Sequence, residues 1–171
     1  THQEIEFTFE SERPESLYIL QTRNQNLKKQ ETQSRFADAP GSMKLIGSGI
    51  GISGGALSGS LAFDMDDIER IRKKDPWEKI ILVRPDTVPD DIPLIFNCDG
   101  LITAKGGATS HAAVTAASMG KVCIVSCKSL SVDDEKKKCS FNGGHYRTGD
   151  RISIDGNLGL IYEGAHEVQI D

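Results

Sequence analysis

Short apolar runs separated by helical segments constrain the fold of this chain most strongly. The apolar runs have the length of buried strands, and the segments between them have the composition of short helices. In chain order these segments are strand 79–83, helix 89–96, strand 100–103, helix 110–119 and strand 121–126. The second helix is rich in Ala and is followed by Gly120, a residue type that commonly ends helices. The pattern predicts a mixed α/β domain from about residue 42 to residue 168.

Two further local patterns extend this prediction. Asp64 is a suitable N-cap for a helix that ends before Asp75-Pro76 and carries Ile68 and Ile71 on one face. Near the end of the chain, the segments RISID and GLIYEG flank Gly156-Asn157 and predict a β-hairpin or a pair of neighbouring strands.

The first 44 residues have a different composition from the rest. Residues 5–9 and 17–22 predict two strands joined by a polar turn that contains Pro14. Residues 24–42 are polar and hold few apolar side chains whose burial could offset the entropy of ordering them. We therefore expect a linker between a short β segment and the larger domain.

Composition excludes several classes of protein. The net charge of −5 argues against general nucleic-acid binding, and no apolar run approaches the ~20 residues of a membrane helix. The acidic first ten residues do not resemble a signal peptide, and a chain that starts at Thr1 is expected to be part of something longer. Four cysteines form no CxxC pair, which favours buried thiols in a reducing cytosol over a metal site.

The run from Thr103 to Ala113 carries the chemistry. Gly106 and Gly107 permit positive φ and leave backbone N–H groups uncovered, and either Thr109 or Ser110 can cap the helix or donate to an anion. The positive end of a helix favours a phosphate and a neutral imidazole, so His111 is placed as a nucleophile toward phosphorus. A structural His at a helix start is the alternative for a lone histidine, but the combination GG-x-TSHAA is more specific than its parts.

That combination resembles the signature of the phosphoenolpyruvate-utilising enzymes, in particular the pyruvate, phosphate dikinases. Three other stretches are similar to the dikinases as well: residues 82–91 (LVRPDTVPDD), 131–133 (SVD) and 149–156 (GDRISIDG). The sequence after the helix, Met119-Gly120-Lys121-Val122-Cys123, also follows the dikinase pattern. Ala117 stands where the family commonly has an Arg.

The resemblance implies a fold and a set of domains. It implies a swivelling β/β/α phosphohistidine domain over residues 45–171, preceded by a linker over 28–44 and by the last strands of an ATP-grasp domain over 1–27. His111 would be the phosphohistidine nucleophile, assisted by Thr109, Ser110, Gly106 and Gly107. In the N-terminal segment, three residues would lie on the ATP and Mg²⁺ side: Glu6, Gln21 and Arg23.

The resemblance also implies an activity and partners. The whole enzyme would be a phosphotransferase with paired acceptors that relays phosphoryl from ATP to pyruvate, reversibly and with Mg²⁺ held outside the carrier domain. Its partners would be the ATP-grasp and pyruvate-binding barrel domains of the same polypeptide, with a homodimer and a cytoplasmic or plastid location. This segment alone would not turn over. Two alternatives stay open: a carrier from a phosphoenolpyruvate synthase or another histidyl phosphotransferase, and a non-catalytic module that keeps the fold.

Overall fold

The computed structural model describes residues 2–9, 17–25 and 33–170. Contacts between Cα atoms divide the chain into two units, Thr1–Thr32 and Gln33–Asp171. The predicted linker over residues 28–44 therefore spans the boundary between them.

The first unit contains an antiparallel pair of strands, β1 (His2–Phe9) and β2 (Leu17–Gln25). Both strands were predicted, with shorter bounds. The register sets Glu6 opposite Gln21 and Glu4 opposite Arg23, and it shifts by a residue between Glu6 and Phe7. The predicted ATP-side roles of Glu6, Gln21 and Arg23 concern side chains that lie outside the described part of the structure.

The second unit alternates strands and helices. Its strands are β3 (Ser34–Phe36), β4 (Leu45–Ser48), β5 (Ile50–Ser53), β6 (Ala56–Ala62), β7 (Ile80–Arg84), β8 (Gly100–Thr103), β9 (Val122–Val125), β10 (Leu130–Asp133), β11 (Lys138–Phe141), β12 (Gly144–Arg147), β13 (Arg151–Asp155), β14 (Leu160–Glu163) and β15 (Val168–Ile170). Its helices are α1 (Met65–Lys74), α2 (Ile92–Asn97) and α3 (His111–Ser118), and two 3₁₀ turns cover Pro40–Ser42 and Pro89–Asp91. No helix in the described ranges is long and apolar enough to cross a membrane.

Eight of these strands form one sheet in the order β4-β14-β13-β6-β7-β8-β9-β5. The central strands β6, β7, β8 and β9 are parallel, and their outer neighbours β13 and β5 are antiparallel to them. Each parallel neighbour is reached through a helix, because a parallel connection must cross from one end of the sheet to the other. The carboxyl ends of β6 to β9 therefore meet at one edge of the sheet.

The sheet is covered on both faces. Ile81 and Val83 of β7 pack into a core with Leu130, Cys139 and Phe141 of the three-stranded sheet β10-β11-β12, while Ile80 and Leu82 pack into a second core with the three helices. Alternate residues of a strand point to opposite faces, so a continuous apolar run such as KIILV serves both cores. The resulting order of layers is β/β/α, as predicted.

Two predictions about order along the chain need correction. Residues 34–36, which lie in the stretch predicted to be a linker with at most one helical turn, form β3 and pair with β15 near the other end of the chain. The backbone pairing with β15 and a hydrogen bond from Ser34 Oγ to Ala56 O, 3.0 Å long, stabilise β3. Local composition does not reveal these partners because they are distant in the sequence. The meander β10-β11-β12 was not predicted either, because its strands are short and half polar.

Candidate functional site

The loop that leads to His111 starts at the carboxyl edge of the parallel strands. Strand β8 ends at Thr103, opposite Arg84 of β7. The loop stays bound to the adjacent strand end, since Ala104 N donates to Arg84 O at 3.2 Å and Lys105 N donates to Pro85 O at 3.0 Å. In open α/β sheets this edge is where ligands bind.

Gly106 makes the turn that aims the loop toward the helix. Its φ is +95°, a value that side chains rarely tolerate, whereas Gly107 does not adopt a positive φ. A Cβ at Gly106 would also lie 3.5 Å from the Ser110 hydroxyl and 3.8 Å from the Asp86 carboxylate. The expectation that both glycines permit positive φ is therefore realised by Gly106 alone, and Gly107 instead accepts a hydrogen bond from Ser110 N at 3.0 Å.

Ser110 is the N-cap of α3. Its backbone is extended, with φ −61° and ψ 151°, and its hydroxyl accepts from Ala113 N at 3.3 Å. Its carbonyl accepts from Val114 N at 3.0 Å, which starts the helical ladder. Thr109 is exposed on the loop and does not cap the helix. The structure thus separates two hydroxyls that the sequence left equivalent.

His111 is the first residue of α3, and its side chain is exposed. Within residues 33–170, neither ring nitrogen of His111 has a hydrogen-bond partner, and the backbone N–H groups of His111 and Ala112 have no backbone acceptor. Free N–H groups at a positive helix end favour an anion. The imidazole is therefore free to react, beside donors that stabilise a negative group attached to it.

The face of α3 opposite His111 is built from small side chains. Ala112, Ala113 and Ala116 are fully or almost fully buried against the helix-side core, with Cys123 and Val125 of β9 in the same cluster. Small residues let the helix backbone approach the sheet closely. This packing fixes the helix start, so that His111 extends from a rigid base.

Gly106, Gly107, Thr109, Ser110 and His111 lie in one continuous loop and helix start. Their roles, and those of Glu6, Gln21 and Arg23 in the first unit, stay predictions. In the described ranges, no group of three or more His, Cys, Asp or Glu side chains is placed to hold a metal ion.

A buried polar network at the start of α1 was not predicted from the sequence. Asp67 is fully buried and accepts from Phe63 N at 3.0 Å, from Thr148 Oγ1 at 2.9 Å and from Lys137 Nζ at 3.1 Å. Lys137 also pairs with Asp64 at 2.8 Å. Burial would raise the pKa of the Asp64 carboxyl, but hydrogen bonds from Lys137 and Asp67 N and the charges of Lys137 and Arg70 hold it below its usual value. The network ties the start of α1 to the turn between β10 and β11.

All four cysteines are buried, and burial was expected for Cys123 and Cys127 from the apolar run in or beside which they lie. Burial raises the pKa of Cys98, Cys123 and Cys139 to about 12 each. Thiols of this kind are held in the protonated form and are poor nucleophiles.

Comparisons with known proteins agree with this geometry. The family described as PEP-utilising enzyme, mobile domain, matches residues 76–159, which include the loop and His111. The chain is 39% identical over 126 residues to the pyruvate, phosphate dikinase of Clostridium symbiosum, and 37% identical over 132 residues to that of Entamoeba histolytica. These alignments cover 74% and 77% of the chain but only 14% of either relative.

A longer alignment includes the first unit. Against the pyruvate, phosphate dikinase of Rickettsia typhi, 95% of the chain aligns at 33% identity and spans 21% of that protein. The chain therefore corresponds to about a seventh to a fifth of the length of the relatives it matches.

Proposed function

Because this chain belongs to the phosphoenolpyruvate-utilising enzymes and contains their mobile domain, we propose that it is a phosphoryl carrier in which His111 accepts and passes on the phosphoryl group. One observation carries the proposal: an exposed imidazole at the first position of α3, with unpaired N–H groups beside it and a glycine turn before it. A carrier needs its reactive atom at the surface, since two different partners must reach it.

The chemistry proposed for His111 is nucleophilic displacement at phosphorus. A neutral imidazole nitrogen forms the N–P bond while the bond from phosphorus to the leaving oxygen breaks. The N–H groups of His111 and Ala112 and the hydroxyl of Thr109 are then available to the phosphoryl oxygens. The proposed role of Ser110 is to hold the start of α3 in place, because its hydroxyl already accepts a hydrogen bond from Ala113 N.

The substrates proposed for the whole protein are those of a pyruvate, phosphate dikinase. In that reaction ATP, phosphate and pyruvate interconvert with AMP, pyrophosphate and phosphoenolpyruvate. His111 would attack the β-phosphoryl group of ATP and displace AMP, lose the outer phosphoryl group to phosphate as pyrophosphate, and deliver the remaining phosphoryl group to pyruvate. The resemblance in residues 82–91 and 149–156 supports this choice within the family.

The nucleotide and Mg²⁺ are assigned to the ATP-grasp domain, whose last strands would be residues 1–27 with Glu6, Gln21 and Arg23, and pyruvate is assigned to another domain of the same polypeptide. In the part of the chain that the structure describes, no cluster of His, Cys, Asp or Glu side chains is placed to hold a metal ion. The small share of each relative that the chain covers supports such additional domains. We propose that this segment carries the phosphoryl group and does not turn over by itself.

The test is labelling of the full-length polypeptide with radioactive phosphoenolpyruvate. The label should be acid-labile and base-stable, as phosphohistidine is, and His111→Ala should abolish it without unfolding the protein, because the side chain is exposed. His145→Ala is a matched control, since His145 is also exposed but lies on β12. Labelling that persists in His111→Ala would show that another residue is the acceptor.

A further inference from the structure

We propose that Arg84 is a positioning residue for the loop that carries His111, an inference that rests on the proposed function of that loop. Arg84 is the last residue of β7 and lies opposite Thr103, the residue from which the loop departs. Its side chain is only 18% exposed and touches three segments that are far apart in the sequence.

The guanidinium joins these segments at the carboxyl edge of the sheet. Its NH1 atom donates to Phe63 O at the end of β6, at 3.2 Å. Its NH2 atom lies 3.3 Å from Asp91 Oδ1, in the 3₁₀ turn before α2. NH1 also lies 3.4 Å from Asp134 Oδ1, in the turn between β10 and β11. One planar cation thus fixes the distances between segments from both covering layers.

Two connections lead from this cation to the loop. The backbone of Arg84 and Pro85 accepts from Ala104 N and Lys105 N, so any shift of the strand end moves the loop. On the other side, the ion pair between Arg84 and Asp91 closes the segment from residue 84 to residue 91. Asp91 also accepts from Val88 N at 3.0 Å through its second oxygen, which closes the turn inside this segment.

This closed segment also reaches the glycine turn. It contains Asp86, whose carboxylate would lie 3.8 Å from a Cβ at Gly106. Arg84 therefore holds the loop both directly, through its own backbone, and indirectly, through Asp91.

Two buried polar atoms at the Arg84 bridge make no hydrogen bond within residues 33–170. The Nε atom of Arg84 and the Oδ1 atom of Asp134 are buried and make no hydrogen bond in the described part of the chain, and the 3.4 Å contact of Asp134 Oδ1 with NH1 is an ion pair only. Such groups are uncommon in proteins, and they occur where another requirement outweighs full pairing. Here the requirement is the bridge between Phe63, Asp91 and Asp134, which a shorter or neutral side chain could not make.

In-line transfer to phosphorus depends on the placement of the attacking nitrogen, and displacements near 1 Å are expected to cost roughly a hundredfold in rate. In the full-length polypeptide, we expect Arg84→Gln to lower the maximal rate of His111 labelling by phosphoenolpyruvate by about tenfold or more. The phosphoenolpyruvate concentration at half-maximal rate should stay within about twofold, since another domain binds this substrate. Arg84→Lys should recover part of the rate, because it keeps the charge near Asp91 but not the planar fork.

The matched control is Arg72→Gln. Arg72 is also partly buried, with 35% of its side chain exposed, and pairs with Asp99, which precedes β8 at the opposite edge of the sheet. A general loss of stability should appear in both glutamine variants, whereas slow labelling should appear only in Arg84→Gln. If Arg84→Gln does not fold, Asp134→Asn tests the same bridge, because it removes one anchor and leaves the cation in place.

The outcomes separate the two proposals. Labelling of the parent protein at His111 with equal rates in Arg84→Gln and Arg72→Gln would overturn the role of Arg84 and leave the carrier function intact. The role of Arg84 would be overturned in the same way if Asp134→Asn, used in its place, labels at the parent rate. No labelling of the parent protein would overturn both proposals.

Discussion

The Ser110 hydroxyl oxygen lies 3.3 Å from the backbone nitrogen of Ala113 and accepts its hydrogen bond. This contact assigns different tasks to two adjacent hydroxyl residues. Ser110 secures the helix start, and Thr109 remains exposed on the loop beside His111.

Replacing the two residues by Ala should therefore give opposite results. Ser110→Ala should lower the free energy of unfolding by about 1 kcal/mol, the usual value for a lost N-cap. Thr109→Ala should change stability by less than about 0.5 kcal/mol, as surface substitutions do, but should slow phosphoryl transfer to His111. Urea denaturation and the rate of labelling measure the two effects. An equal loss of stability in both variants would contradict the assignment of the cap.

The ion pair between Asp64 and Lys137 should make stability depend on pH in the acid range. The folded-state pKa of Asp64 is lowered, so its contribution is present above the unfolded pKa and is lost as the pH falls through the folded value. We expect the free energy of unfolding to decrease below about pH 4. Asp64→Asn keeps a good cap for α1 but removes the charge. The free energy of unfolding of this variant should therefore depend less on pH in the acid range.

Lys137→Met provides the reciprocal test of the same pair. It removes the ammonium that bonds to Asp64, so the free energy of unfolding should again decrease less at acid pH. Denaturant titrations at a series of pH values would decide. If the free energy of unfolding decreases as steeply at acid pH in both variants as in the parent protein, other carboxylates control the acid dependence of stability.

The cysteines should be unreactive in the folded chain. All four are buried, and the pKa of three is raised to about 12 by burial. A colorimetric disulfide reagent should modify none of them rapidly in buffer and all four after addition of denaturant. Rapid modification of one thiol without denaturant would reveal local opening near that residue.

The pairing of β3 with β15 makes Ser34–Phe36 part of the second unit. Ser34 and Ile170 are opposite each other, and opposed Cα atoms of antiparallel strands lie about 4.5–5.5 Å apart, within the range of a disulfide. An oxidised Ser34→Cys/Ile170→Cys variant of the full-length polypeptide should keep its overall turnover, because both strands belong to one unit. The single variant Ser34→Cys is the control. Slow turnover that recovers with reductant would show instead that β3 detaches during the cycle.

Local patterns were sufficient for the elements that are defined by near neighbours. The N-cap at Asp64, the buried strand around Ile81 and the hairpin at Gly156 each depend on residues within a few positions, and each was predicted. The loop and helix start at His111 also depend on near neighbours, because consecutive residues form them.

Elements that depend on distant partners could not be predicted in this way. Strand β3 exists because it pairs with β15, and nothing in Ser34–Phe36 by itself distinguishes a strand from a linker. Arg84 was noted only as part of a similar stretch, since its partners Phe63, Asp91 and Asp134 become neighbours through the sheet topology. The choice between Thr109 and Ser110 as the cap depends on a backbone conformation that the residue types do not determine.

The ribbon formed by β3 and β15 lies at one end of β6, and His111 lies beyond the other. Ser34 bonds to Ala56 at the start of β6, whereas the loop to His111 departs from the edge where β6 ends. The seven residues of β6 span roughly 20 Å, so the central sheet separates the ribbon from the imidazole by about that distance and connects them rigidly. A modest rotation pivoting at the ribbon would therefore sweep His111 along a wide arc, with no deformation of the loop that positions it.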